Sequence, residues 1–376
     1  MSVGTIRVEI KQGIMTETPP TQESASAPDT DVATAARGRR VLLGVIKLAA
    51  AVGLVGYLLH RAWQSDQFDV LSTGRVQWQW FILGCCLTLG GILLTFERWF
   101  WLTREIGAPM NRFEAYRLSF IGYVLNFVTV GTVGGDAFRA VAVAAQDRSK
   151  ASEGVASVIY DRAVGMVALF LLAAVALFSL DLSQITGDDL VRRGVLEACR
   201  GIALVAAIIG VVALVILAWL PKGRVISLVG RVTRLPVIGR AAGPMAMAML
   251  AFAGHRKVML ASLSISLPVH IVNALAVVAV ASALPIERPS IMAHLATVPL
   301  AHLAGVLPLP GGIGAFEGAL GWLYEAAAES EAAGRYGLVV AFGVRLTMLL
   351  VALIGIVVYL AGRRTPADLG DSTGHD

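Results

Sequence analysis

The chain has 376 residues, of which 56% are hydrophobic and only 15% charged, with a formal net charge of +5. That is more apolar surface than a soluble core of this length can bury, which excludes an ordinary soluble enzyme or binding domain and places the chain in the membrane class. Three cysteines, two of them adjacent (Cys85, Cys86) and one alone (Cys199), assemble neither a disulfide framework nor a metal-ligand set.

Residues 1–36 are rich in Thr, Ser, Pro, Glu and Asp and predict a disordered cytoplasmic tail, in which Met15 is an alternative start. A hydrocarbon core takes about 20 apolar residues per helix. Six stretches qualify: 41–60, 80–96, 155–180, 202–220, 258–284 and 338–361. Alternation of the barrel type is absent, so the spans are helices. The first is too long for a signal peptide and no small-residue cleavage pattern follows it.

Lysine and arginine set the orientation. Arg37, Arg39 and Arg40 precede the first span; Arg98, Arg104 and Arg112 follow the second; Arg139, Arg148 and Lys150 precede the third. The connection from Lys222 to Lys257 holds Arg224, Arg231, Arg234, Arg240 and Arg256 without an Asp or Glu, and the last span ends at Arg363 and Arg364. The opposite loops carry Asp66, Asp69, Asp181, Asp188, Asp189, Glu325, Glu329 and Glu331, although Arg75, Arg192, Arg193 and Arg335 share them. The majority puts both termini in the cytoplasm, with the chain in the cell's inner membrane.

Two further apolar segments, 113–133 and 289–324, are each bounded by one side of the membrane at both ends, so each is expected to dip in and return. The first breaks at Gly131, Gly134, Gly135 and Asp136. The second breaks at Pro308, Pro310, Gly311, Gly312, Gly314 and Glu317, where proline removes a donor and glycine permits reversal. The predicted fold is an all-α polytopic membrane protein: six full transmembrane helices plus two re-entrant or broken-helix hairpins in an inverted repeat. This domain fills residues 37–364, and 365–376 form a polar tail. In transporters such hairpins meet near the midplane, where irregular backbone is tolerated only against protein or a water-filled cavity.

Charges beside these segments are informative because each costs on the order of 3 kcal/mol at a helix centre. Asp136 and Arg139, three apart, share one helical face; they are either a pair at the cytoplasmic rim or a site where Asp136 holds the Arg139 fork for a phosphate. Asp161 and Arg162 point about 100° apart, so each needs its own partner or must snorkel, and Asp136 is the expected partner of Arg162. Glu317 is expected to face an internal cavity, the alternative being the outer surface. Arg345 either snorkels outward or reaches Glu317. Asn126 is placed to bond across helices near the first break. His270, His294 and His302 lack a companion carboxylate cluster and read as core hydrogen-bonding groups, so no metal and no cofactor is expected. Trp78, Trp80, Trp99 and Trp101 read as interface anchors. The basic stretch Lys222 to Lys257 is either topogenic or rests on the anionic inner leaflet. No phosphate-binding loop sequence appears, which excludes a pump driven by its own ATPase.

The run Arg98–Trp99, then GYVLNF (122–127), GGDAFR (134–139), DRAVG (161–165) and PLPGGIGAFE (308–317), resembles the flippase-like family that includes the membrane region of lysylphosphatidylglycerol synthases. The resemblance spans about residues 41 to 364. It implies movement of a modified lipid between leaflets, with Asp136, Arg139, Arg162 and Glu317 as the functional set. The turn of the first hairpin carries Val128, Thr129, Val130 and Gly131 where the family usually has proline. Only a short polar tail follows Arg364, so the chain is expected not to make the modified lipid itself and not to be an enzyme. The expected function is a flippase or transporter for a phospholipid or lipid-linked intermediate, with a separate lipid-modifying enzyme as a possible partner and no nucleic acid. The alternatives are a membrane-embedded lipid-modifying transferase, with Asp136 or Asp161 as its base, and a scaffold subunit for a lipid-modifying glycosyltransferase.

Overall fold

A computed structural model describes residue 46 and residues 49–108, 110–129, 133–186, 189–234, 249–307, 309 and 312–361. The polar tails, the hairpin positions Val130, Gly131, Pro308, Pro310 and Gly311, and Arg240 of the basic stretch lie outside the described residues. Within them the regular structure is helical. Helix α1 covers 49–64, followed by α2 (Trp78–Glu105), α3 (Arg112–Val128), α4 (Val133–Gln146), α5 (Ala151–Ser179) and α6 (Leu190–Trp219). Then come α7 (Lys222–Thr233), α8 (Arg256–Ser282), α9 (Ile291–Ala304), α10 (Ala315–Ala327) and α11 (Gly337–Ala361).

Side-chain caps mark several starts. Asn111 accepts from the Glu114 amide, Asp189 from that of Arg192 and Ser290 from that of Ala293, each satisfying a donor that the first turn leaves open. After α2 the chain turns at Gly107, whose φ of +71° is open to glycine at little cost. Among the described residues five helical stretches are long and apolar enough to cross a membrane: Trp78–Glu105, Arg148–Ser179, Leu190–Trp219, Arg256–Ser282 and Glu331–Leu360. These match the second to sixth predicted spans, and α1 carries the described part of the first. The helices overrun the predicted ends: α2 continues past residue 96 to Glu105, and α6 starts twelve residues before 202, at Leu190. Hydropathy marks only the apolar length, whereas backbone hydrogen bonds propagate through polar turns as well.

The largest interface joins α2 to α8. Glycines permit it: a Cβ on Gly91 would lie 2.5 Å from the Asn273 side chain, and one on Gly84 would lie 2.9 Å from that of Val280. Close approach of small residues is how helices gain packing in lipid, where water supplies no drive between them. One core gathers Leu102, Tyr160, Val164, Leu214 and Phe252, with the Tyr160 and Phe252 rings stacked at 4.3 Å. A second gathers Val280, Phe316, Leu320, Tyr324 and Val340. By contrast α6 leaves Ile202, Ile209 and Val205 exposed, as a lipid-facing helix should.

Two pairs of shorter helices complete the domain. The arms α3 and α4 pack on each other, and so do α9 and α10. The first pair leans on α5 and α11, while the second leans on α5, α8 and α11. Both are joined through the glycine breaks identified above.

Candidate functional site

Three arginines and two aspartates converge where α5 meets α2, α4 and α8. Arg98 and Asp161 are both buried, with Arg98 Nε 2.7 Å from Asp161 Oδ1. Arg98 Nη1 donates to Ser266 Oγ at 2.7 Å, and that hydroxyl donates onward to the Ser262 carbonyl at 2.6 Å. Gly165 lies against the guanidinium: a Cβ there would stand in van der Waals contact, 3.4 Å, with both terminal nitrogens. A second pair is bidentate: Arg162 Nε and Nη2 donate to Asp136 Oδ2 and Oδ1 at 2.7 and 2.9 Å. Asp136 sits in the first turn of α4, where the helix dipole favours a carboxylate. This pair is the more open one, with Arg162 45% and Asp136 16% exposed.

Backbone contact fixes the position of Asp136. Asn126 Oδ1 accepts from the Gly135 amide at 2.9 Å, and a Cβ on Gly135 would fall 2.1 Å from the Gly122 carbonyl oxygen. Helices α3 and α4 therefore touch main chain to main chain, an approach that only glycine allows at this position.

Arg139 differs from the other two arginines. It is 5% exposed and lies over the rings of Phe96 and Trp99, 5.6 and 5.2 Å from their centroids. No carboxylate among the described residues forms an ion pair with it, and its Nε has no hydrogen-bond partner. Asp136 and Asp161, the nearest acids, are engaged by Arg162 and Arg98. A ring face offsets part of a cation's desolvation, by about 0.5–2 kcal/mol, but accepts no conventional hydrogen bond. The cluster thus carries one cation more than its carboxylates balance, on a group with five N–H donors.

The second glycine break holds its own ion pair. Glu317, 1% exposed, occupies the first turn of α10; its Oε2 accepts from the Gly314 amide at 2.7 Å and its Oε1 from Arg345 Nε. Gly312 and Gly314 have φ of +63° and +87°, so the reversal before α10 needs glycine at both. Arg345 also lies 5.6 Å above the Phe316 ring. Adjacent residues of α3 face the two clusters: Gly122 faces Arg139, while the Tyr123 hydroxyl meets the Met348 carbonyl of α11 at 3.4 Å, three residues beyond Arg345. His270 bonds to the Gly165 carbonyl at 2.9 Å, and His302 bonds to the Val298 carbonyl at 2.9 Å with its ring 5.0 Å from that of Phe316.

Several sequence expectations are met in geometry. Arg162 pairs with Asp136, Asn126 bonds across to α4, Arg345 reaches Glu317, and Asp161 has a partner separate from that of Arg162. His294 bonds to the Ser290 carbonyl and to Tyr324. Other expectations need correction. Asp136 engages Arg162 and leaves Arg139 without a carboxylate, because the packing of α5 on α4 brings the Arg162 guanidinium onto both Asp136 oxygens. Glu317 faces neither a cavity nor the outer surface, since Arg345 and the Gly314 amide enclose it. Trp99 is fully buried beneath Arg139 and is not an interface anchor, whereas Trp78 and Trp80 are exposed. Sequence reasoning read Arg98 only as a flanking cation and missed Ser266 and Tyr123; the available signal was that Arg98 precedes the aromatic run Trp99, Phe100 and Trp101, which extends α2 beyond the predicted end of its span.

Taken together, the apolar spans and the buried ionic clusters define a multi-pass helical membrane protein whose interior charge is organised around two glycine breaks. The sequence matches the family described as the lysylphosphatidylglycerol synthase TM region over residues 44–362, most of the chain, and the protein belongs to that family. No curated protein matches the chain.

Proposed function

We propose that this protein moves a phospholipid or a lipid-linked intermediate between leaflets of a cell inner membrane, with both termini cytoplasmic. In this reading α3–α4 and α9–α10 are re-entrant hairpins of an inverted repeat, entering from opposite faces and meeting through α3. The observation that carries the proposal is Arg139, a buried guanidinium with no carboxylate of its own. Leaving such a charge unsatisfied costs several kcal/mol, whereas a phosphate accepts the planar fork and balances the surplus cation. The half-open Arg162–Asp136 pair beside it suits a head group of mixed charge, and Trp99 with Phe96 forms an aromatic floor. The chain acts as a carrier, with any chemistry on the lipid left to a separate enzyme.

Reconstitution into vesicles with a fluorescent phospholipid tests this. Arg139→Gln should slow translocation about tenfold or more, the loss of charge-assisted hydrogen bonds, with Asp136→Asn and Glu317→Gln also slowed. Wild-type transport by folded Arg139→Gln protein would overturn the assignment.

A further inference from the structure

A separate site lies near the other end of α5. Residues Leu171, Val175 and Phe178 of α5 face Leu204, Ile208 and Val212 of α6 across a groove of about 620 Å³. Its floor is made of small residues, Ala174 and Ala207, each 3% exposed, while Val175, Phe178, Ile208 and Val212 stand at least half exposed as its walls. The groove opens into a second, polar pocket of about 400 Å³, and Phe178 and Ser179 line both. That pocket brings together Asp181, Arg193, Glu197 and Arg200. Arg200 Nη2 donates to the Leu177 and Leu180 carbonyls at 2.8 and 3.0 Å, the guanidinium lies 5.0 Å from the Phe178 ring centroid, and its Nε is buried without a partner. Arg193 Nε is 2.9 Å from Glu197 Oε1. Asp181 Oδ1 accepts from the amide and hydroxyl of Ser183, bonds that hold its carboxyl below the usual range and keep it charged.

An apolar slot leading to two cations and two carboxylates has the polarity of an amphiphile. We propose that the α5–α6 groove is a binding site for a zwitterionic phospholipid, with an acyl chain along the slot, the phosphate at Arg193 and Arg200, and the ammonium at Asp181 and Glu197. From Arg162 to Ser179 the helix rises about 25 Å, so this site is distinct from the Arg139 cluster and does not depend on the transport reading. A lipid held here would present its head group beside the loop between α5 and α6.

Native mass spectrometry of the detergent-purified chain, titrated with phosphatidylethanolamine or phosphatidylglycerol, tests the site. We expect tighter retention of phosphatidylethanolamine. Ile208→Trp, which fills the slot from a half-exposed position, should weaken it about tenfold. Arg193→Gln combined with Glu197→Gln, both exposed, should erase the preference between the two lipids. Gly230→Ala, on α7 outside the groove and with open space around its Cβ, should change neither. Equal binding of the two lipids by the wild-type chain, or unchanged retention in Ile208→Trp, would overturn the proposal.

Discussion

The same chemical change at two ion pairs of equal length should have very different consequences. Arg98–Asp161 and Arg162–Asp136 both close at 2.7 Å, but the side chains of the first pair are 5% and 2% exposed and those of the second 45% and 16%. Asp161→Asn keeps shape and volume, so no cavity term enters, and what remains is a buried guanidinium facing a neutral amide. Breaking a buried pair in this way costs about 3–5 kcal/mol. At the half-open pair solvent takes over part of the lost interaction, and Asp136→Asn should cost about 1 kcal/mol or less. Equilibrium unfolding in mixed micelles, titrating a denaturing detergent, would read the difference directly. The double replacement Arg98→Met with Asp161→Leu should recover most of the loss, since well-packed apolar residues can substitute for a buried pair. Equal losses for the two asparagine variants, or a double variant as unstable as Asp161→Asn, would refute the reasoning, because burial would then not govern the energetics.

Gly135→Ala should destabilise by at least about 1–3 kcal/mol, because its Cβ meets main-chain oxygen that cannot move aside, whereas Gly201→Ala, with nothing within 4 Å of its Cβ, should be within about 0.5 kcal/mol of wild type in thermal melts. Glu317→Ala removes both the cap on Gly314 and the carboxylate facing Arg345 and should cost about 3–5 kcal/mol, with Glu317→Gln less damaging because its amide oxygen still accepts from Gly314. On the connection before α5, Asp147 is held below the usual aspartate range by hydrogen bonds from the Ser149 hydroxyl and amide. A depressed acid stabilises the folded form above its unfolded-state value and loses that contribution as pH falls through its folded-state value. The Ser149 amide resonance should therefore stay constant at neutral pH and move only below the ordinary aspartate range, and an Asp147→Asn variant should show no such step.

Much of this arrangement was legible from elementary constraints. Adjacent Asp161 and Arg162 cannot neutralise each other on a helix, which demands two separate partners, and a glycine-rich break beside Asp136 supplies one of them. The identity of the other was hidden. Arg98 follows the apolar run of α2 by two residues and so resembles an ordinary flanking cation; only the continuation of the helix to Glu105, and the glycine at position 165 opposite, show that it points inward. The separation of Arg139 from Asp136 was hidden for a related reason. Spacing puts both on one face, but which of two nearby arginines captures the carboxylate depends on the packing of α5 against α4. Glu317 illustrates a third limit, since its role as a cap follows from the positive φ of Gly314, which a glycine permits but does not require.

Arg98 and Asp161 are 63 positions apart in the chain. At a synthesis rate of about 5–20 residues per second, the cation leaves the ribosome about 3–13 s before its counter-charge exists. During that interval α2 has every apolar reason to enter lipid and one strong reason not to complete the move. On this reasoning α2 should settle fully only when α5 arrives, an electrostatic appointment, and a nascent chain arrested between them should still be extractable from the bilayer.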